Sequence, residues 1–168
     1  AWGQQPPLEI KGFQLDRALD CAVVYEMDKS PGFNQAAWDC QNDKPIVRML
    51  VPFMDSQARL TIRRDGGAVV AMYLAHAEAG TGFGFEDALT ALIYKYGTPE
   101  ITESTIRNAA GVEFKQTLAL WRRGDAGLLL KRHDEYVGRP SLSLTGARAR
   151  VIAEDAERER IRRNAGNL

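Results

Sequence analysis

Gly12-Phe13-Gln14-Leu15-Asp16-Arg17-Ala18-Leu19-Asp20-Cys21-Ala22 and Gly82-Phe83-Gly84-Phe85-Glu86-Asp87-Ala88-Leu89-Thr90-Ala91-Leu92 align without a gap at a constant offset of 70 residues. Gly, Phe, Ala and Leu are identical in the two stretches. Leu15 matches Phe85 as an apolar residue, and Asp16 matches Glu86 as an acid. Each stretch reads as the start of a helix. Gly lets the chain turn with positive φ. Phe and the next apolar residue but one can plug a core. The acid then falls in the first helical turn, where it complements exposed N–H groups and the helix dipole. Ala18, Leu19, Ala22 and Val23 lie at helical spacing, as do Ala88, Leu89, Leu92 and Ile93.

Working outward, each stretch is followed by strand-like segments. After the first comes a loop over 28–43, with Pro31, Gly32, Asn34 and Asn42. Residues 46–53 then read as an apolar strand, 58–64 alternates, Asp65-Gly66-Gly67 signals a hairpin, and 68–76 returns. The second helix stops at Tyr96-Gly97-Thr98-Pro99, a Gly cap followed closely by Pro. Residues 113–123 alternate, with Phe114, Leu118 and Leu120 on one face and Lys115, Thr117, Ala119, Trp121 and Arg123 on the other. Residues 127–133 return, and 141–145 add a short strand with Leu142 and Leu144 inward. The expected fold class is α+β, with two tandem α-β-β-β units over 10–76 and 77–145 that should superimpose. An extended segment, 1–9, precedes them. A solvated C-terminal helix and tail, 146–168, follows, dense in Arg, Glu and Ala.

Composition narrows the function classes. The chain has 168 residues, 45% of them hydrophobic, ordinary for one folded domain or two packed halves. Lys+Arg and Asp+Glu are both 22, so there is no basic excess of the kind a nucleic-acid binder shows. No apolar run approaches the roughly 20 residues that span a bilayer. Ala1-Trp2-Gly3-Gln4-Gln5-Pro6-Pro7 reads either as a mature terminus left after signal cleavage or as an artificially trimmed start; the first reading points to a periplasmic or secreted protein. In that setting Cys21 and Cys40 are expected to form a disulfide; two buried free thiols are the alternative. Neither a metal site nor a cofactor is expected, because the Cys spacing is not CxxC and only His76 and His133 could add soft ligands.

No catalytic motif survives inspection, so the chain reads as a non-enzyme. Gly80-Thr81-Gly82-Phe83-Gly84 lacks the spacing of a phosphate loop and reads as a linker. His133-Asp134-Glu135 and His76-Ala77-Glu78 place a base near acids, but without a nucleophile or metal partner both read as strand ends. The face carrying Lys115, Thr117, Trp121 and Arg123, with Lys131 on the neighbouring strand, is the candidate protein-binding surface, since Trp and Arg are common interface anchors. A Trp covered by the terminal helix is the competing reading. Nucleic-acid binding through Arg122, Arg123, Lys131 and Arg132 is a weaker one.

The two helix-then-strands segments, with Gly-Phe leading into each helix, resemble the β-lactamase-inhibitor-protein-like superfamily, which includes small outer-membrane assembly lipoproteins of the SmpA/OmlA type. The second half is also similar to exported bacterial proteins with a helix–YGxP–strand–Trp pattern, here Tyr96-Gly97-Thr98-Pro99 and Trp121. This resemblance implies one curved antiparallel sheet with helices on one face and the other face open for binding. The function expected is a non-catalytic periplasmic or secreted protein-binding module, of which inhibitors and immunity proteins are examples. Its expected partner is another protein of the cell envelope. A structural component of envelope assembly and an enzyme of unrecognised type are the alternatives.

Overall fold

The computed structural model describes residues 5–77 and 82–167. Residues 1–4, Glu78, Gly80, Thr81 and Leu168, which figure in the readings above, lie outside the described residues. The elements run α1 (Cys21–Met27), α2 (Gln35–Gln41), β1 (Ile46–Phe53), β2 (Ser56–Asp65), β3 (Ala68–His76), α3 (Phe85–Tyr96), β4 (Glu100–Arg107), β5 (Glu113–Arg123), β6 (Ala126–Lys131), β7 (Ser141–Thr145) and α4 (Ala147–Gly166). The seven strands form one sheet in the order β1-β2-β3-β7-β6-β5-β4, and every neighbouring pair is antiparallel.

Strand alternation builds the core. Paired residues share a face of the sheet, so Val47, Ile62, Met72, Leu144, Leu128 and Trp121 form one buried row across six strands. Met49, Leu60, Leu74, Leu142, Leu130 and Ala119 form the next row. Onto this face pack Val24 of α1, Ala36 and Cys40 of α2, Phe85, Ala88 and Leu92 of α3, and the N-terminal residues Leu8, Ile10 and Phe13. Tyr96 holds that N-terminal segment: its hydroxyl accepts from Glu9 N at 3.2 Å and lies 3.3 Å from Glu9 O.

The two halves do not superimpose as α-β-β-β units. Seen from the helix-covered face, β1 and β4 run in the same direction, yet β2 lies to one side of β1 and β5 to the other side of β4. The meanders β1-β2-β3 and β4-β5-β6 therefore have opposite hands. No rotation superimposes them while their helices stay on one shared face. The aligned stretches also differ locally. Gly82–Leu92 leads directly into α3, whereas Gly12 (φ 85) closes a tight turn, Asp16 sits at φ 62, and Ala18 bridges to Ala68 of β3. The first helix waits until Asp20, whose carboxylate accepts from Ala22 N and Val23 N. The 28–43 segment is not all loop but contains α2, capped by Asn34. The second half holds four strands rather than three, because β4 precedes β5.

The disulfide expectation is met: Cys21 and Cys40 are bonded, with a Cα separation of 5.6 Å, and tie α1 to α2. Arg64 of β2 holds α2 from below. Its guanidinium is buried and donates to Lys44 O (2.8 and 3.1 Å), Cys40 O (3.1 Å) and Asp39 O (3.2 Å), with no carboxylate among these partners. A planar five-donor fork suits a cluster of carbonyls left open at a helix C-terminus. Arg64→Ala should lower stability by about 2 kcal/mol, because the carbonyls lose a charged donor, and Arg64→Lys should recover only part of it. Urea titration of the three proteins checks the order.

The sheet's two edges are treated differently. Beside β1, Leu50 N donates to Asp28 Oδ1 (2.9 Å) and Leu50 O accepts from Lys29 N (2.8 Å), so the loop after α1 covers that edge. β4 carries exposed residues along nearly its whole length and, among the described residues, pairs on one side only. Its acids and cross-strand pairs, Lys115–Glu103 and Arg107–Glu113, are the charged features that discourage edge-to-edge pairing.

Candidate interaction surface

The structure inverts the expected sidedness of β5. The alternation itself is as read, but Thr117, Ala119 and Trp121 face the core, while Leu118 and Leu120 lie half-buried on the uncovered face. Trp121 is 2% exposed, and its Nε1 donates to Gly97 O at 2.8 Å. Gly97 caps α3 at φ 87, a backbone state that favours glycine and that aims its carbonyl at the indole. Arg123 closes the same corner by donating to Tyr96 O at 3.0 Å. The Tyr-Gly-x-Pro and Trp pattern is thus one structural clasp between a helix end and a strand. The end of α3 covers Trp121, not the terminal helix.

The other expected surface residues separate accordingly. Thr117 is buried, and its hydroxyl accepts from Arg132 Nε at 3.3 Å. Lys115 lies on the β4–β5 ribbon, paired with Glu103 at 2.9 Å. Lys131 alone reaches the uncovered face, opposite Leu118, and pairs with Asp134 at 3.6 Å. These five residues do not form one surface, so Lys115, Thr117, Trp121 and Arg123 are corrected from a surface patch to a core seam and its margins. Of the residues suggested for a nucleic-acid site, Arg122 pairs with Glu100 and Arg132 with Glu86.

The uncovered face is the real candidate. Its central row runs Arg48, Thr61, Tyr73, Ser143, Leu129, Leu120 across β1 to β5. Leu50, Leu118 and Lys131 lie one row along. Tyr73, Leu118, Leu120 and Leu129 are partly exposed, an apolar strip that no helix among the described residues covers. α4 only borders it, where Arg150 lines a recess with Leu120, Gly127 and Thr145. That helix has no buried residue, carries Val151, Ile152 and Ile161 as its large apolar side chains, and is anchored through Arg148–Asp65 (2.9 Å) and Arg150 to Asp125 O (3.4 Å). Its further ion pairs, such as Arg160–Glu157, lie along its own surface.

The loop after β6 folds onto one end of this face. The Tyr73 hydroxyl donates to Asp134. Gln116 acts as a substitute strand residue toward that loop, donating to His133 O (2.6 Å) and accepting from His133 N (3.0 Å). Burial, and then the bonded Asp134 carboxylate, push the Tyr73 phenol well above the usual tyrosine range. A raised folded-state value keeps the proton on Tyr73 after the unfolded chain has lost it. That contribution to stability is complete below about pH 10 and is lost as pH rises beyond it. In an alkaline absorbance titration, Tyr73 should ionise well above the usual tyrosine range, as the phase that Tyr73→Phe removes. Tyr73→Phe should remove that part of the alkaline stability slope.

A second exposed group lies on the α1–α2 hairpin: Tyr25, with Phe33 and Trp38, which read in sequence as the core residues of the 28–43 segment and are exposed instead. Asn34 Nδ2 donates to Tyr25 O at 2.9 Å, which draws the two short helices together. A cleft of about 350 Å³ lined by Lys11, Phe13, Arg17, Asp20 and Val69 contains no nucleophile paired with a base. Among the described residues no cluster of His, Cys, Asp or Glu could hold a metal ion, and no helix is long and apolar enough to cross a membrane. Comparison with models of known protein families, with curated proteins and with solved structures finds no match to this chain. The fold and surface define its class: a disulfide-containing α+β protein with one antiparallel sheet covered by helices on a single face.

Proposed function

We propose that the chain is a non-catalytic protein-binding module acting outside the cytoplasm, and that its binding surface is the uncovered sheet face. The observation that carries this is the strip of Tyr73, Leu118, Leu120 and Leu129, left partly exposed on a sheet whose other face carries the buried core. Contiguous apolar surface bordered by charge marks interaction sites on folded proteins. The Cys21–Cys40 bond supports the extracytoplasmic setting. Kinship with the β-lactamase-inhibitor-protein-like superfamily belongs to this proposal; a single sheet with helices on one face is compatible with it. Such a module inhibits or shields its partner by covering it, or joins a larger envelope assembly.

The test is a comparison of wild type with Leu118→Asp/Leu129→Asp, each immobilised and exposed to an envelope fraction. Both leucines are only partly buried, so the double variant should melt lower than wild type but still unfold cooperatively, and its circular dichroism spectrum should match that of wild type at the capture temperature. It should lose the proteins that wild type retains. Identical sets on both, or nothing above an unrelated control protein, would overturn the reading.

A further inference from the structure

The two sulfurs of the Cys21–Cys40 bond stand in unlike surroundings. Cys21, at the start of α1, is partly exposed, whereas Cys40 is 1% exposed. A reagent from solvent therefore meets the bond on its Cys21 side. The buried Arg64 guanidinium stands on the other side, its Nη1 3.9 Å from Cys40 Sγ. Its other nitrogens donate to the carbonyls of Asp39, Cys40 and Lys44. Among the described residues this cation has carbonyls and a sulfur for partners, but no carboxylate. The remaining charges nearby are engaged elsewhere or face solvent. Asp20 caps α1, and Asp39 accepts from Gln35 Nε2 at 3.0 Å. Lys44 sets its Nζ over the Trp38 ring, Asp65 pairs with Arg148, and Asp43 and Arg63 are exposed. Leu19 O lies 3.8 Å from Cys21 Sγ and 3.9 Å from Cys40 Sγ, so it favours neither sulfur.

Thiol–disulfide exchange has a direction: a thiolate attacks one sulfur, and the other departs as a thiolate, faster where its charge is stabilised. Burial disfavours a charged sulfur at Cys40; an adjacent cation favours it. The dipole of α1 favours charge at Cys21 instead, but a helix end supplies only about half a charge, and Asp20 already takes the N–H groups of Ala22 and Val23. Arg64 supplies a full charge, and a Cys40 thiolate would give it the counter-ion it lacks. We infer that the Cys21–Cys40 bond is a thiol–disulfide exchange site for a dithiol, with Cys21 the attacked sulfur and Cys40 the leaving group. One thiolate of the dithiol bonds to Cys21 Sγ, the Cys21–Cys40 bond breaks, and its electron pair leaves on Cys40 Sγ beside Arg64. The second thiol gives its proton to water and attacks the dithiol's own sulfur in the mixed disulfide. Cys21 leaves and takes up a proton. The dithiol ends as a disulfide, oxidised by two electrons, and the two cysteines are reduced by the same two. The bond joins two helices of 7 residues and not the strands, so its opening loosens the hairpin while the seven-stranded sheet persists. The site lies on the helix-covered side of the sheet and is independent of the uncovered face.

The first step is tested on the oxidised wild-type protein with glutathione, a monothiol that halts at the mixed disulfide. The reaction is run in large excess of glutathione at neutral pH, quenched with acid and mapped by peptide mass. Glutathione should be found on Cys21 about tenfold or more over Cys40 in the folded protein, because access decides which sulfur is attacked. In urea the two should be labelled about equally. Equal labelling in the folded protein, or mixed disulfide formed in urea alone, would overturn the exchange site. The leaving group is tested by the ultraviolet absorbance of the thiolate in Cys21→Ser, with circular dichroism to show that the protein is folded. Its single thiol should ionise below the free-cysteine value of about 8.5. Arg64→Gln in that background should cut the thiolate fraction at neutral pH about tenfold, and Arg64→Lys should cut it less, since a cation remains. A purely structural Arg64 would alter stability and leave this titration where it was. Ionisation at or above the free-cysteine value in Cys21→Ser, which needs no change at Arg64, or a titration unmoved by Arg64→Gln, would overturn the assignment of Cys40 as leaving group.

Discussion

Trp121→Ala should be the most damaging single substitution in the chain, lowering stability by about 3–5 kcal/mol, the usual cost of truncating a fully buried aromatic side chain. The indole sits at the end of a buried row that crosses the sheet from Val47, and it also supplies the donor for the carbonyl of Gly97. Truncation opens a cavity under the end of α3 and strips that carbonyl of its partner. The melting temperature should fall by roughly 10 °C for a chain of this size. Trp121→Phe keeps most of the volume and loses only the donor, so it should cost about a third as much, near the value of one hydrogen bond. Leu118→Ala is the contrast on the same strand. Leu118 lies on the uncovered face and is already partly wet, so its truncation should cost well under half of the Trp121→Ala loss. If Leu118→Ala proves the worse of the two, the sidedness of β5 described above is wrong.

That sidedness marks where the sequence was legible and where it was not. Alternation in 113–123 is plain from the residues, and so are the hairpin at Asp65-Gly66-Gly67 and the end of α3 at Tyr96-Gly97, since each depends on local chemistry. Alternation states only that two sets of residues face opposite ways. Both sets on β5 contain large apolar side chains, so the choice of inner face falls to tertiary partners: Gly97 for Trp121 and Tyr96 for Arg123. The repeat misled for a related reason. Gly12 and Gly82 match in sequence, yet Gly12 serves a positive φ while Gly82 lets the ring of His76 approach closely. Identity of residue is not identity of role, and the opposite hands of the two meanders follow from strand order, which no local pattern encodes. β4 was missed because its residues are exposed on both faces, so that it shows no buried stripe.

Replacing both cysteines with alanine should lower stability by about 3 kcal/mol, the chain-entropy value for a closed loop of this length, and the loss should be concentrated in one place. The bonded residues are 19 apart in sequence and join two helices of 7 residues each. Helices of two turns are far below the length that persists alone in water. The hairpin's contribution to the core is small: Val24, Ala36, Ala37 and Cys40 are buried, while Tyr25, Phe33 and Trp38 remain exposed. Once the cross-link is gone, what remains is the Asp20 and Asn34 caps, the Arg64 fork, and the edge contacts of Asp28 and Lys29 with Leu50. Hydrogen exchange should therefore lose protection across residues 21–41 at denaturant concentrations where the amides of β5 and β6 stay closed, because sub-global opening follows local contact density. Loss of protection spread evenly over the sheet would show instead that the hairpin and the sheet unfold as one unit. Arg64→Ala in the cysteine-free background separates the two supports. Both act on α2, so their costs should not add, and a double-mutant cycle should show a coupling of about 0.5 kcal/mol or more. Strict additivity would mean that Arg64 stabilises β2 and not the helix above it.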